Sequence, residues 1–342
     1  MTVTVTGEGP TIPNVRTGLF SLDVAWGKRR THELGMPLRS IHHIYGHPET
    51  GKNTLAFYLA GCIQPAGKVV YIALESSDRD YVADASAQSG FHGEVQYAKM
   101  MDGEKHRAHA DVLDDVRKQV LLEPGITAVI LDSLGRLRSR SEEAAKMGEA
   151  SMGKRALLAN QYWRDMEGAI FERPTASAMF VLNHVYKGGM GEMLKPGVIR
   201  WQTPGGNGIH FIAASESFLW HKETLEAGNT IAYLSTGRVE KLRYGGKGPG
   251  FRIGMIGGLG ISPEMTAVWD AEGYGLLKRD AAVKVDGLSI GRIGTLVRAA
   301  AERQREKFEP VFAALAKYEE GMKSEWQSTE PPKEKPSPRK RK

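Results

Sequence analysis

The stretch Gly46-His47-Pro48-Glu49-Thr50-Gly51-Lys52-Asn53 lies between an apolar run, Ile41 to Tyr45, and a segment of helical length beginning at Thr54. Two glycines with four residues between them, followed by lysine, let successive backbone N–H groups face an anion at a helix N-terminus, where the helix dipole adds about half a positive charge. That is a loop for a triphosphate, with Lys52 reaching the β- and γ-phosphates. The pattern calls for Ser or Thr after the lysine, to hold magnesium through a hydroxyl. Asn53 stands there instead, and Thr54 comes one place late. An amide oxygen coordinates a hard cation less firmly or through water, so nucleotide binding survives more easily than fast turnover.

Two acids fit the same chemistry. Asp132 ends the run "ITAVILD" and Glu75 follows "YIAL". In a parallel sheet the C-terminal strand ends open onto one crevice. Asp132 there would hold magnesium directly or through water, and Glu75 would orient or deprotonate an attacking water. Taken singly, each is also an ordinary strand-edge charge.

The elements that must position these residues follow from apolar periodicity. The runs "SIHHIYG", "KVVYIAL", "ITAVILD", "AMFVLN", "HFIAASESFLW" and "TIAYLS" read as strands, with helical lengths such as Thr54 to Gln64 and Arg107 to Leu122 between the early ones. Alternation of this kind predicts an α/β fold with a mostly parallel twisted sheet flanked by helices. "TLAFYLAGCIQ" is apolar nearly all round, as a helix buried on such a sheet must be. Glu142 to Glu172 reads as one long helix or two, interrupted near Gly153 and stopped by Pro174. Lys187 to Asn207 is glycine-rich, carries three basic residues and has no period, so it predicts a long loop with a function. Residues 262–326 turn helical, with a long amphipathic pattern after Ile290. There is no internal repeat.

A chain of 342 residues, 41% hydrophobic and 25% charged, can bury a full core, with room for one large domain and a smaller appendage. No apolar run approaches the ~18 residues of a membrane span, and the N-terminus lacks a signal-type segment, so a cytoplasmic location without membrane contact is expected. Cys62 is the single cysteine, without a Cys or His partner at zinc spacing. It packs as a small hydrophobe on this reading, which argues against redox chemistry and structural zinc. The net charge of +6 and pI near 9.2 favour a polyanionic partner such as nucleic acid. Part of that charge lies in the tail "EPPKEKPSPRKRK", expected to be disordered, with a solubilising and a DNA-tethering role both open.

The ordered series of motifs resembles the RecA family of recombinases, including its UvsX-like phage members. "RTGLFSLDVAWG", "GHPETGKNTL", "VVYIALES", "AVILDSLGRL", "VLNHVY" and "TPGGNGIHFIAAS" each look like a family segment. The resemblance implies a RecA-like ATPase core over residues 16–261, after an N-terminal segment 1–15 and before a mostly helical small domain 262–326 and a basic tail 327–342. By this likeness Glu75 is the catalytic base, acting with Lys52, and Asn183 and His184 sense the γ-phosphate. Asp78 and Tyr81 lie near the adenine. Lys241 and Arg243 match basic residues that reach a neighbouring subunit's ATP, so hydrolysis would need a filament.

The same resemblance places a first DNA-contacting loop around Arg138 to Met152 and a second around Tyr186 to Asn207. Arg138, Arg140, Lys154, Arg155, Lys187, Lys195 and Arg200 would supply charges for phosphates, and Met190, Met193, Ile199 and Trp201 would wedge or stack against bases. Gly205, Gly206 and Asn207 form the exit of the second loop. Neither loop carries a base-reading pattern. The implied cofactors are ATP and Mg2+. The implied partners are single-stranded DNA, homologous duplex DNA and further copies of the chain in helical filaments, with single-strand-binding and mediator proteins as further candidates. The implied activity is ATP-dependent pairing and strand exchange. A poorly hydrolysing DNA-binding mediator with the same fold and a ring-shaped helicase motor are the alternatives. The residues before Arg16 are too few for the long N-terminal docking helix of bacterial members. The alternation at Thr2 to Thr6 suits either a strand pairing with a neighbouring subunit or a frayed end.

Overall fold

The computed structural model describes residues 12–27, 33–75, 79–102, 105–144, 154–173, 175, 177–187, 201–243 and 250–328. The apolar runs become strands of one nine-stranded sheet: β1 (Ser40–Gly46), β2 (Lys68–Ala73), β3 (Glu94–Tyr97), β4 (Ile126–Asp132), β5 (Ala178–His184), β6 (Ser215–Ala227), β7 (Thr230–Leu242), β8 (Gly250–Ile256) and β9 (Gly260–Ile261). Their order is β9-β8-β7-β6-β1-β5-β4-β2-β3. All pairs from β6 to β3 are parallel, while β6 to β9 form an antiparallel extension.

Strand side chains alternate between faces, and here both faces are apolar. Ile44, Val69, Tyr71, Ala128, Ile130, Phe180 and Leu182 point to a first core shared with α1 (Phe20–Trp26), α2 (Lys52–Ile63) and α3 (Arg79–Gln88). Their neighbours Ile41, Val70, Ile72, Val129, Leu131, Met179 and Val181 enter a second core with α4 (His109–Leu122) and α6 (Lys154–Phe171). Burying each such Val, Ile or Phe fully contributes ~1.5–3 kcal/mol. This alternation later decides which residue of a pair faces the site. Cys62 packs half-buried on α2 with its Sγ donating to the Thr17 carbonyl, and burial pushes its thiol pKa up to about 12.

Beyond α5 (Arg140–Ala144), two stretches depart from the sequence reading. The run "HFIAASESFLW" does not start as a strand. A short helix, α7 (Gly208–Ile212), occupies its first residues and drops Ile209 into the second core, and β6 begins only at Ser215. The C-terminal region is not all helical either. Between α8 (Pro263–Gly273) and α9 (Ile293–Ala301) lies a three-stranded antiparallel sheet, β10 (Leu277–Arg279), β11 (Val283–Val285) and β12 (Leu288–Gly291). Its second turn is the pair Asp286-Gly287, both at positive φ (48° and 82°), a two-residue hairpin signal that helical periodicity hides. The amphipathic pattern after Ile290 is also broken, because Arg303 adopts φ 56° before α10 (Glu309–Ser328).

These C-terminal elements form a third core with Phe20, Leu234 and Ile256 of the central domain. Arg16 reinforces the junction with a double hydrogen bond to Glu319 on α10, both at 2.9 Å, and another to the buried Asp23. No described helix is long and apolar enough to cross a membrane.

Candidate nucleotide site

The turn from β1 to α2 brings backbone closer to backbone than any side chain allows. A Cβ on Gly46 would lie 2.0 Å from the Leu219 carbonyl of β6, the group that accepts from the His47 N–H at 3.1 Å. Gly51, immediately before α2, sits at φ 81°, where a Cβ would meet the Met255 sulfur at 2.7 Å. Both glycines of the motif are therefore required by geometry. Lys52 is 6% exposed, and its Nζ donates to the His47 and Gly46 carbonyls at 2.6 and 3.2 Å. Burial lowers its pKa to about 8 against the opposing pull of Asp132 and Glu75. A buried ammonium at a helix N-terminus suits a polyphosphate.

Asp132 ends β4 on the face that α2 covers. Its Oδ2 accepts from Tyr71 Oη at 2.5 Å and from Asn53 Nδ2 at 2.7 Å. Burial raises the pKa of this carboxyl, and the two donated bonds oppose the rise. A carboxylate only accepts hydrogen bonds, so the Asn53 amide must present its NH2 group to Asp132. Glu75 follows β2. Its Oε1 accepts from Ser133 Oγ at 2.6 Å and lies 3.3 Å from His184 Nε2 and 3.7 Å from Arg136 Nε. All three of these contacts fall on Oε1.

These groups open onto one cleft of about 640 Å3, a volume ordinary for a small-molecule site. Gly51, Lys52, Asn53, Thr54, Glu75, Asp132 and His184 line one side, with Glu49 at its rim. The facing wall is Tyr81, Gln88, Tyr233, Met255, Ile256, Gly257, Gly258 and Gly260, with Lys222 over the Tyr233 ring at 4.3 Å. Of that wall the sequence reading found only Tyr81. The available signal was "IGGLG": a Cβ on Gly260 would strike the Gln88 carbonyl at 1.9 Å, so glycine there lets β9 close against α3. Ser133 and Tyr71 were missed as well. Asp78 lies outside the described residues.

Several anticipated site residues stand elsewhere. Gly46, His47, Pro48 and Thr50 build the loop without lining the cleft, and Thr50 serves it internally, its Oγ donating to the His47 carbonyl at 2.9 Å. Asn183 is fully buried and turned away: its Nδ2 donates to the Pro204 carbonyl at 2.9 Å. Adjacent strand residues point to opposite faces, so of Asn183 and His184 only His184 can share the face of α2. Lys241 and Arg243 also sit off the cleft. Lys241 Nζ donates to the Ala213 carbonyl at 3.0 Å, and Arg243 pairs with Glu167 at 2.7 Å.

The expected DNA-contacting residues stand in different settings. Lys154 is exposed, and so is Arg138, which lines a second cleft of about 1200 Å3 beside Glu75, with Lys105, Arg107, Arg136 and Arg140. Arg140 and Arg155 are already engaged by Asp111 and Glu142. Gly205 and Gly206 make a turn at φ 101° and 80° against Leu134 and Ala156, and Asn207 leads into α7. Trp201, paired in register with Lys187, stands edge-on to the P-loop residue His47 at 4.3 Å. Met190, Met193, Lys195, Ile199 and Arg200 lie outside the described residues, as do Thr2 to Thr6 and the tail from 329.

A family model described as the RecA N-terminal domain matches residues 5–236. Protein RecA of Synechococcus sp. (strain CC9902) is 26% identical over 295 residues, covering 84% of this chain and 72% of the relative. Protein RecA of Arthrospira platensis is 25% identical over 277 residues, 79% of this chain and 69% of the relative. Protein RecA of Trichormus variabilis is 26% identical over 290 residues, 82% and 74%.

Proposed function

The chain belongs to the RecA family, and from that premise we propose that it is an ATP-dependent recombinase that assembles on single-stranded DNA, pairs it with homologous duplex and exchanges strands. The observation that carries this reading is the convergence of Lys52, Asp132, Glu75 and His184 on one cleft, with Asn183, next to His184, bonded to Pro204 at the exit of the glycine-rich segment.

In this reading Lys52 and the amides at the start of α2 hold the phosphates. Glu75, its Oε1 fixed by Ser133 Oγ at 2.6 Å, takes the proton of the attacking water on Oε2. His184 meets the terminal phosphate. The oxygens of Asp132 and Asn53 form a hard donor set that fits Mg2+, which when bound neutralises phosphate charge. Lys187 to Asn207 and the basic residues near Arg138 grip DNA without reading sequence, and hydrolysis loosens that grip. Lys241 and Arg243 complete the site of an adjacent copy.

The test is strand exchange between a circular single strand and homologous linear duplex, run with ATP, with ADP and with a slowly hydrolysed analogue. Joint molecules under ATP and the analogue but not ADP are expected. Binding without exchange under all three would overturn the reading. It would favour the second one, a poorly hydrolysing mediator, for which the Asn53–Asp132 hydrogen bond speaks.

A further inference from the structure

On the sheet face opposite α2, three donors meet that no part of the nucleotide chemistry uses. His43 of β1 is fully buried, and neither ring nitrogen has a hydrogen-bond partner among the described residues. Its ring stands edge-on to His210 of α7, 5.5 Å between centroids. His210 Nδ1 lies 2.6 Å from Oε2 of Glu216, a β6 residue only 5% exposed. One ligand atom from each of His43, His210 and Glu216 falls within 4.8 Å of the others. A buried imidazole left without a hydrogen bond is unfavourable, and a ring nitrogen bound to a metal escapes that cost.

We propose that His43, His210 and Glu216 bind a divalent transition metal ion, zinc by their chemistry, with water as fourth ligand. Two imidazoles and one carboxylate are a donor set that Zn2+ takes in tetrahedral geometry, whereas Mg2+ and Ca2+ prefer oxygen alone. The ion takes the place of the proton now shared between His210 and Glu216, and the pocket opens slightly to admit it. Two outer contacts orient the ligands, as such contacts do at metal sites. Thr203 Oγ1 lies 3.4 Å from His210 Nε2, which leaves Nδ1 for the metal. Lys241 Nζ lies 3.9 Å from Glu216 Oε1, which leaves Oε2. The charge of Lys241 is offset by the Ala213 and Phe211 carbonyls at 3.0 and 3.4 Å.

His210 and Glu216 lie six residues apart, but His43 comes from a distant strand, so no linear spacing announces the trio, and the expectation against structural zinc rested on local spacing alone. An ion here pins α7, directly after the Gly205-Gly206 turn, to the strand that ends in the P-loop. The three ligands themselves take no part in the proposed recombination activity, so the site is tested apart from it.

The experiment uses untagged full-length protein, stripped with EDTA, dialysed against ZnCl2 and assayed for bound metal by mass spectrometry, with a thermal melt of each sample. Wild type should retain about one Zn2+ per chain and melt higher with it, and Co2+ in its place should give the intense visible bands of tetrahedral coordination. H210N and E216Q, judged folded by their metal-free melts, should bind at least ~100-fold more weakly, more than the loss of an outer contact. D132N should bind as wild type. No stoichiometric zinc in wild type, undiminished zinc in H210N and E216Q, or loss in D132N overturns the proposal.

Discussion

Asn53 donates a 2.7 Å hydrogen bond to the same Asp132 oxygen that Tyr71 engages at 2.5 Å. The residue that replaces the usual hydroxyl is thus tied to the second acid of the site, and both of these hydrogen bonds fall on Oδ2 of that carboxylate.

Replacing Asn53 by Thr should therefore speed hydrolysis. It restores a hydroxyl and releases one bond from Asp132, worth roughly 1 kcal/mol net, or about fivefold in kcat. Steady-state ATPase rates with saturating single-stranded DNA and varied Mg2+ measure this. An unchanged or lower rate contradicts the account of Asn53.

Asn183→Ala removes the donor to Pro204 and leaves the cleft lining intact. Nucleotide affinity should stay within about twofold of wild type, while the strengthening of DNA binding by nucleotide should shrink by roughly five- to tenfold, one buried hydrogen bond's worth. Oligonucleotide anisotropy with and without nucleotide separates the two. Equal losses in both would mean Asn183 merely supports the fold.

Lys52 gives a pH dependence with a definite sign. Its pKa is lowered by burial to about 8, so above that pH the unliganded site holds a neutral amine. Phosphates favour the ammonium, and binding must then take up a proton. Affinity should fall as pH rises from 8 to 10, by up to ~10-fold per unit. Calorimetry in buffers of different ionisation enthalpy should register proton uptake near pH 9 and little at pH 7.

Asp270 acts on stability. It is fully buried, accepts from the Ser21 N–H at 2.8 Å, and burial raises its pKa to about 7. Between about pH 4 and 7 the folded chain keeps a proton that the unfolded chain has lost, so this group's contribution falls as pH rises through that window and levels above it. The slope is at most ~1.4 kcal/mol per pH unit. Asp270→Asn should melt higher than wild type at pH 8, with the advantage shrinking toward pH 5, as urea titrations at several pH values will read.

The legible parts of the site were those fixed by residue type at a strand end. Lys52, Asp132 and Glu75 announced themselves because a parallel sheet sends its C-terminal ends to one edge, and the cleft contains all three. His184 and Asn183 were named together by resemblance, and strand alternation separates them. The wall from Met255 to Gly260 left only the glycines of "IGGLG" as a signal, because an antiparallel extension three strands away in the sheet delivers it. Arg140 and Arg155 looked like free cations, since ion pairing with Asp111 and Glu142 is a tertiary fact. The strands around Asp286-Gly287 were hidden by apolar spacing that also fits a helix.

The end of β5 carries one side chain into the chamber and the next through to the reverse of the sheet, where it holds the carbonyl of Pro204. A strand cannot be nudged from one surface without moving on the other. In the proposed recombinase, filling of the chamber would reach Pro204 across the thickness of one backbone.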